Sequence, residues 1–302
     1  MEKVQNAIKN AKIGTVVPVV ETLPYALEPV EFFAKLTDYG RKKNAILLES
    51  ADIMEKYGEK SLGSADPCLM VKGKDENFEI TALNSLGKKF IALLKSDFDF
   101  CDKVDYGKDK IAGKLKPKRS LASEEERLKL PSHMDIIRKV AFKFNATAKP
   151  FIPYCGLFGS ISYDFIDQFE DLPKSKKDIV KDSDYILYFL DNLFLIDHKE
   201  KRTYFAANAL ITHGNKDKIY RECLSKIQYY KNTINKKINI KNSNLKNNYN
   251  NKNKKIGTDT NKKEFIGMVK KIKEHIKSGD VYQAVISRTI TANISKEPLD
   301  IY

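Results

Sequence analysis

A chain of 302 residues and 34.5 kDa, 42% hydrophobic and 10% aromatic, can bury a sizeable core and is too apolar to be disordered throughout. Its formal charge of +14 first suggests a nucleic acid or membrane partner, but residues 231–255 hold 8 Lys, 10 Asn and no acid, leaving +6 over the other 277 residues. With one aromatic (Tyr249), no Arg and no groove-reading motif, that tract reads as a solvated linker and argues against nucleic-acid binding.

The polar N-terminus lacks the apolar core of a secretory signal. The most apolar stretch, Tyr185–Ile196, is broken by Asp191 and Asn192, whereas a membrane span needs about 20 apolar residues, so a cytoplasmic chain with no membrane partner is expected. Cys68, Cys101, Cys155 and Cys223 lie 33, 54 and 68 residues apart, too far for a zinc or redox motif, and read as reduced, mostly buried thiols.

Thr15–Val20 is β-branched with Pro18 at what should be an edge, and Ala45–Leu48 is a second short strand ending at Glu49-Ser50. Cys68–Lys72 and Phe78–Leu83 flank Gly73–Asn77, predicting a hairpin with a five-residue loop. Gly87–Leu94 places Phe90, Leu93 and Leu94 on one helical face, and the charged segment 97–130 predicts an irregular excursion. Ser132 is a candidate N-cap for a helix over 132–145. Residues 155–165 read as a strand, and the runs 185–197 and 202–210 as one long hairpin about the turn 197–201. Ile219, Cys223, Leu224, Ile227 and Tyr230 mark a helix that dissolves into the Lys/Asn tract. Asn261 with Glu264 forms a capping-box start, Phe265, Val269, Ile272 and Ile276 a buried stripe, and Gly279 a helix stop. A strand over 281–292 and a helix entrance at 297–302 follow. Strand runs separated by isolated helices predict an α+β fold with largely antiparallel, sandwich-like sheets.

No P-loop, dinucleotide fingerprint, nucleophile elbow or metal-ligand cluster is present. His133, His198, His213 and His275 have no partner spacing and read as surface or turn residues. Gly156-Leu157-Phe158-Gly159 is too apolar to cradle a phosphate and reads as a bulge or a close approach of two backbones. At Leu47-Leu48-Glu49-Ser50-Ala51-Asp52 a strand delivers an acid and a hydroxyl that could hold a small zwitterion, Glu49 on an ammonium and Ser50 on a polar head; a plain strand terminus is the competing reading.

Five segments in order resemble the anthranilate synthase component I family of chorismate-utilising enzymes: LLESAD (47–52), EEERLKLPS (124–132), GLFGSISYDFIDQFEDLP (156–173), DNLFLIDHKEKRT (191–203) and SGDVYQAVISR (278–288). Ser160-Ile161, Tyr282 and Ala284 depart from the commoner family residues without disturbing a packed strand. The resemblance implies a tryptophan-regulatory domain over 1–230, a Lys/Asn-rich linker over 231–259, and the start of a chorismate-binding domain over 260–302. It implies an allosteric tryptophan site at Ser50, with Glu49, Ala51 and Lys60 beside it. It further implies conversion of chorismate and ammonia to anthranilate and pyruvate, with Mg²⁺ as cofactor, tryptophan as feedback inhibitor, and a glutamine amidotransferase partner in a heterotetramer. The family's catalytic and Mg²⁺-binding residues map to none of residues 1–302, so the chain reads as truncated and inactive by itself. A non-catalytic tryptophan-binding fragment or relic, and the large subunit of aminodeoxychorismate synthase, are the alternatives.

Overall fold

The computed structural model of the protein describes residues 2–25, 28–50, 58–116, 123–146, 155–170, 181–237, 256–293 and 296–302. The chain divides into two compact units, Met1–Ile238 and Asn239–Tyr302. In order, the first runs α1 (Glu2–Asn10), β1 (Thr15–Pro24), α2 (Pro29–Leu36), β2 (Ile46–Leu48), β3 (Lys60–Ser64), β4 (Leu69–Lys74), β5 (Asn77–Ala82), α3 (Ser85–Leu93), β6 (Lys103–Tyr106), β7 (Lys110–Lys114) and α4 (Glu124–Lys129). It continues with α5 (His133–Ala141), β8 (Asn145–Ala146), β9 (Gly156–Ile161), a 3-10 helix (Tyr163–Gln168), β10 (Tyr185–Leu190), β11 (Asn192–Asp197), β12 (Arg202–Leu210) and α6 (Lys216–Ile234).

Alternation along the strands sorts their side chains into layers. One sheet has the order β2-β3-β11-β12-β1-β8 and the other β6-β7-β5-β4-β10-β9, antiparallel throughout except where β1 meets β8. Phe32 of α2 and Tyr230 of α6 pack on Val19, Phe194 and Phe205 of the first sheet. Phe32 meets Phe194 edge-on at 4.9 Å and stacks on Phe205 at 5.5 Å. Phe90 of α3 and Ile136 of α5 cover Val71, Ile80 and Phe189 of the second sheet. Leu190, Leu193, Leu195 and Ala206 fill the space between the sheets, against Leu62 and Phe158. The unit is thus an α+β sandwich with helices outside two antiparallel sheets, as the strand-rich sequence predicts.

Local signals translate directly. Pro18 sits past the two β1 residues that pair with β8, where its missing N–H breaks no described ladder bond. Ser132 caps α5 in a reciprocal box with Asp135. In the second unit Asn261 and Glu264 do the same for α7 (Lys262–Ser278), which stops at Gly279 with φ 81°. Gly159 is a backbone contact rather than a phosphate cradle: a Cβ there would lie 2.0 Å from the Ile186 carbonyl oxygen.

Several expectations are corrected. The run 185–197 is not one strand. β10 pairs with β4 and β9 in the second sheet, whereas β11 pairs with β3 and β12 in the first, so the chain changes sheets at Asp191. The buried Asp191 carboxylate bonds Lys226 of α6, and Asn192 Nδ2 donates to the Asp66 carbonyl at 2.8 Å, which anchors the corner. Burial alone would lower the Lys226 ammonium, but the attraction of Asp191 and the hydrogen bond to it move it upward. The hairpin loop 73–77 shrinks to Asp75-Glu76, because Asp75 tolerates φ 53° and its N–H bonds Asp184 Oδ2 at 2.9 Å. Segment 97–130 is not wholly irregular: β6 and β7 form a hairpin whose outward lysines and aspartates hid the alternation. The 155–165 strand gives way after Ile161 to the 3-10 helix, α5 ends at Ala141, and α6 runs on through Ile234 into the lysine-rich tract. The rest of the tract, 238–255, lies outside the described residues.

His133 is a core residue rather than a surface one. At 0% exposure it bonds the Tyr185 hydroxyl at 3.0 Å through Nδ1 and the Asp75 carbonyl at 2.8 Å through Nε2. The carbonyl only accepts, so Nε2 carries a proton there.

The second unit also holds β13 (Gly257–Thr258), β14 (Ile290–Thr291) and the four-residue α8 (Pro298–Ile301). The expected stripe on α7 is not buried: none of its residues is, and Ile276 is 42% exposed. Nor is 281–292 a strand over its length. Ile290 and Thr291 pair with β13 and Thr289 bonds Asp259, its carbonyl accepting from the Asp259 N–H at 3.2 Å and its own N–H donating to Asp259 Oδ1 at 3.0 Å, while the rest of the run has no described ladder to hold it extended. Among the described residues no helix is long and apolar enough to cross a membrane.

Candidate functional site

The open end of β2 carries Glu49 and Ser50, both half-buried. β2 pairs with β3 from Ile46↔Ser64 to Leu48↔Leu62, and this register brings the next residues beside the start of β3. There Ser50 N–H donates to Ser61 Oγ at 3.0 Å. Ser61 is fully buried and also hydrogen-bonds His198 Nε2 at 2.8 Å. The β3–β11 ladder places His198, in the turn after β11, where its N–H donates to the Glu59 carbonyl at 2.8 Å.

Charge surrounds this end. Lys60 pairs with Asp197 at 3.7 Å, its side chain 45% exposed and that of Asp197 only 8%. Tyr25, just past β1, lies 6.2 Å from His198 between ring centroids, and Lys201 Nζ stands 5.3 Å from the Tyr25 ring centre. Burial pushes the Tyr25 phenol up to about 12, helped by its hydrogen bond to Glu28 and by the charges of Glu28 and Glu49.

Of the four residues implied for the tryptophan site, Glu49, Ser50 and Lys60 thus fall on neighbouring ends of paired strands, and Ala51 lies outside the described residues. Sequence reasoning passed over Tyr25, Ser61 and His198. Only strand register brings them here, and no local spacing signals it.

Chemically, the arrangement suits binding. A carboxylate, a hydroxyl and a lysine on adjacent strand ends can meet the ammonium and carboxylate of a zwitterion. Ser61 and His198 have the separation of a nucleophile and its base, but Ser61 is sealed from solvent and already accepts from Ser50 N–H, so it offers no attack trajectory. Among the described residues there is no group of three or more His, Cys, Asp or Glu that could hold a metal ion.

The longest signature segment, 156–173, does structural work where it is described. Gly159 admits the Ile186 backbone, Phe165 packs 5.7 Å from Tyr185, and Gln168 Nε2 donates to the Asp75 carbonyl at 2.9 Å.

The sequence profile of the chorismate binding enzymes matches residues 94–302, more than half of the chain, and the chain belongs to that family. Within it, the anthranilate synthase component 1 of Buchnera aphidicola subsp. Tetraneura caerulescens is 28% identical over 290 residues, 89% of this chain and 52% of the relative. That of Vibrio cholerae is 24% identical over 267 residues, 88% of this chain and 49% of the relative. The chain therefore spans about half the length of these curated relatives. The crystal structure of anthranilate synthase component I from Streptococcus pneumoniae aligns with a TM-score of 0.47 at 16% identity, covering 93% of this chain and 51% of that one.

Proposed function

We propose that this chain is the tryptophan-sensing part of an anthranilate synthase large subunit. The observation that carries the reading is the joined end of β2 and β3, where Glu49, Ser50 and Lys60 stand together on a backbone fastened by Ser61. In this reading the Glu49 carboxylate meets the tryptophan ammonium, Ser50 bonds its polar head, and Lys60 attracts the carboxylate. The names of the curated relatives support the same assignment. The complete enzyme would convert chorismate and ammonia to anthranilate and pyruvate, the ammonia coming from an amidotransferase subunit. Mg²⁺ there would neutralise and position the substrate carboxylate, on residues other than those described here. Tryptophan at the β2 end would inhibit the reaction.

A ligand that binds the folded state raises its melting temperature, so L-tryptophan should raise that of the 302-residue chain, and Ser50→Ala should abolish the rise. No rise at millimolar tryptophan contradicts the reading. Mixed with chorismate, ammonia and Mg²⁺, the same chain is expected to produce no anthranilate fluorescence, and its appearance would place catalytic residues within 1–302. A partner amidotransferase should be retained on the immobilised complete subunit.

A further inference from the structure

The Ser61 hydroxyl is a buried group with a proton to place. Its oxygen already accepts from Ser50 N–H, and among the described residues His198 Nε2, at 2.8 Å, is the acceptor within its reach. A buried hydroxyl proton without an acceptor is costly, so the arrangement is satisfied when Ser61 donates to Nε2 and the imidazole carries its proton on Nδ1. That donation fixes the hydroxyl rotor and points a lone pair at the Ser50 amide. His198 is itself held, by its backbone bond to Glu59 and by Tyr25 at 6.2 Å.

We infer that His198 is a positioning residue for the effector site: through the Ser61 hydroxyl it fixes the backbone that presents Glu49 and Ser50. The inference rests on the tryptophan reading for its consequence, but the mechanical link stands on the geometry alone. Glu49 and Ser50 lie beyond the last β2–β3 pair, Leu48↔Leu62, so the Ser50–Ser61 bond carries the pairing past the strand's end. Losing it weakens the hold on this segment, and a ligand then has to order it more fully.

Two readouts on the full chain separate the link from the reading. Amide hydrogen exchange at Ser50 reports the link with no ligand present. Ser61→Ala and His198→Ala should each speed it about 5-fold, the effect of losing one ordinary hydrogen bond. His198→Gln, whose amide oxygen can take the Ser61 proton, should restore it. Gly159→Ala, which destabilises the other sheet, should leave it unchanged relative to global stability. Calorimetric titration with L-tryptophan reports the consequence: affinity falls about 5- to 10-fold in Ser61→Ala and His198→Ala, recovers in His198→Gln, and is no worse in the double variant than in either single one. Unchanged Ser50 exchange in His198→Ala overturns the inference, as does a loss that His198→Gln fails to rescue. If the exchange pattern holds but the wild-type chain binds no tryptophan, the effector reading falls and with it the role of His198 in binding, while the link itself is upheld.

Discussion

Replacing Gly159 by alanine tests whether the family signature at 156–161 is a packing device. The added Cβ would sit 2.0 Å from the Ile186 carbonyl oxygen and 3.0 Å from Leu187 Cα, all backbone, so no side chain can swing aside. Ordinary van der Waals contact requires more than 1 Å of extra separation between β9 and β10. The ladder N–H···O bonds, near 2.9 Å at rest, stretch past a useful length before then. Losing about two of them at about 1 kcal/mol each, with about 1 kcal/mol of overpacking strain, gives roughly 3 kcal/mol. For a unit of this size that lowers the melting temperature by about 6–12 °C. Thermal unfolding followed by circular dichroism, with a urea titration as a second measure, reads the effect. A midpoint within about 1 °C of wild type would refute the close-approach account of the motif.

Three further outcomes follow from the core. Asp191→Ala leaves the Lys226 ammonium unpaired with only 25% of its side chain exposed, and urea unfolding should show a loss of about 3 kcal/mol; Asp191→Leu with Lys226→Met should recover most of it. Burial raises the thiol of Cys101 to about 11 and that of Cys223 to about 12, and those of Cys68 and Cys155 well above the usual value, so a thiolate-selective reagent at pH 8 should label the native chain far more slowly than the urea-unfolded one. The same shifts fix the pH dependence. For the four thiols, buried at Cys68 and Cys223 and half-buried at Cys101 and Cys155, and for Tyr25, Tyr185 and Tyr230 the folded state holds the proton more tightly than the unfolded state, and the raised Lys226 acts with the same sign. Stability in urea should therefore be fully present below about pH 8 and fall as pH rises from about 9 through 12, and a rise over that window would contradict the linkage.

What the sequence made legible was whatever one segment decides by itself. Ser132, Asn261 with Glu264, and Gly279 announce helix ends because capping chemistry is local. The stripe Ile219, Cys223, Ile227, Tyr230 announces α6 because a helix completes its hydrogen bonds within itself. Strand partnership is not local. Asp191 and Asn192 interrupt the apolar run in the letters 185–197, but nothing local says that the chain passes there from one sheet to another, since the change depends on Asp66 and Lys226 elsewhere. Residues 281–288 carry a strand's composition, but composition supplies no strand to pair with. At the candidate site the same division holds. Glu49 and Ser50 stood out as an acid and a hydroxyl at a strand end, and the family resemblance added Lys60. Ser61 and His198 became visible only through the β2–β3–β11 register.

The central claim is that the end of β2 holds tryptophan. The most direct test is calorimetric titration of L-tryptophan into the 302-residue chain and its Ser50→Ala variant, with D-tryptophan and L-phenylalanine as controls. The account predicts saturable one-site binding of L-tryptophan, weakened at least tenfold by Ser50→Ala, and little response to the controls. Equal binding to wild type and Ser50→Ala, or none to wild type at millimolar ligand, would contradict it.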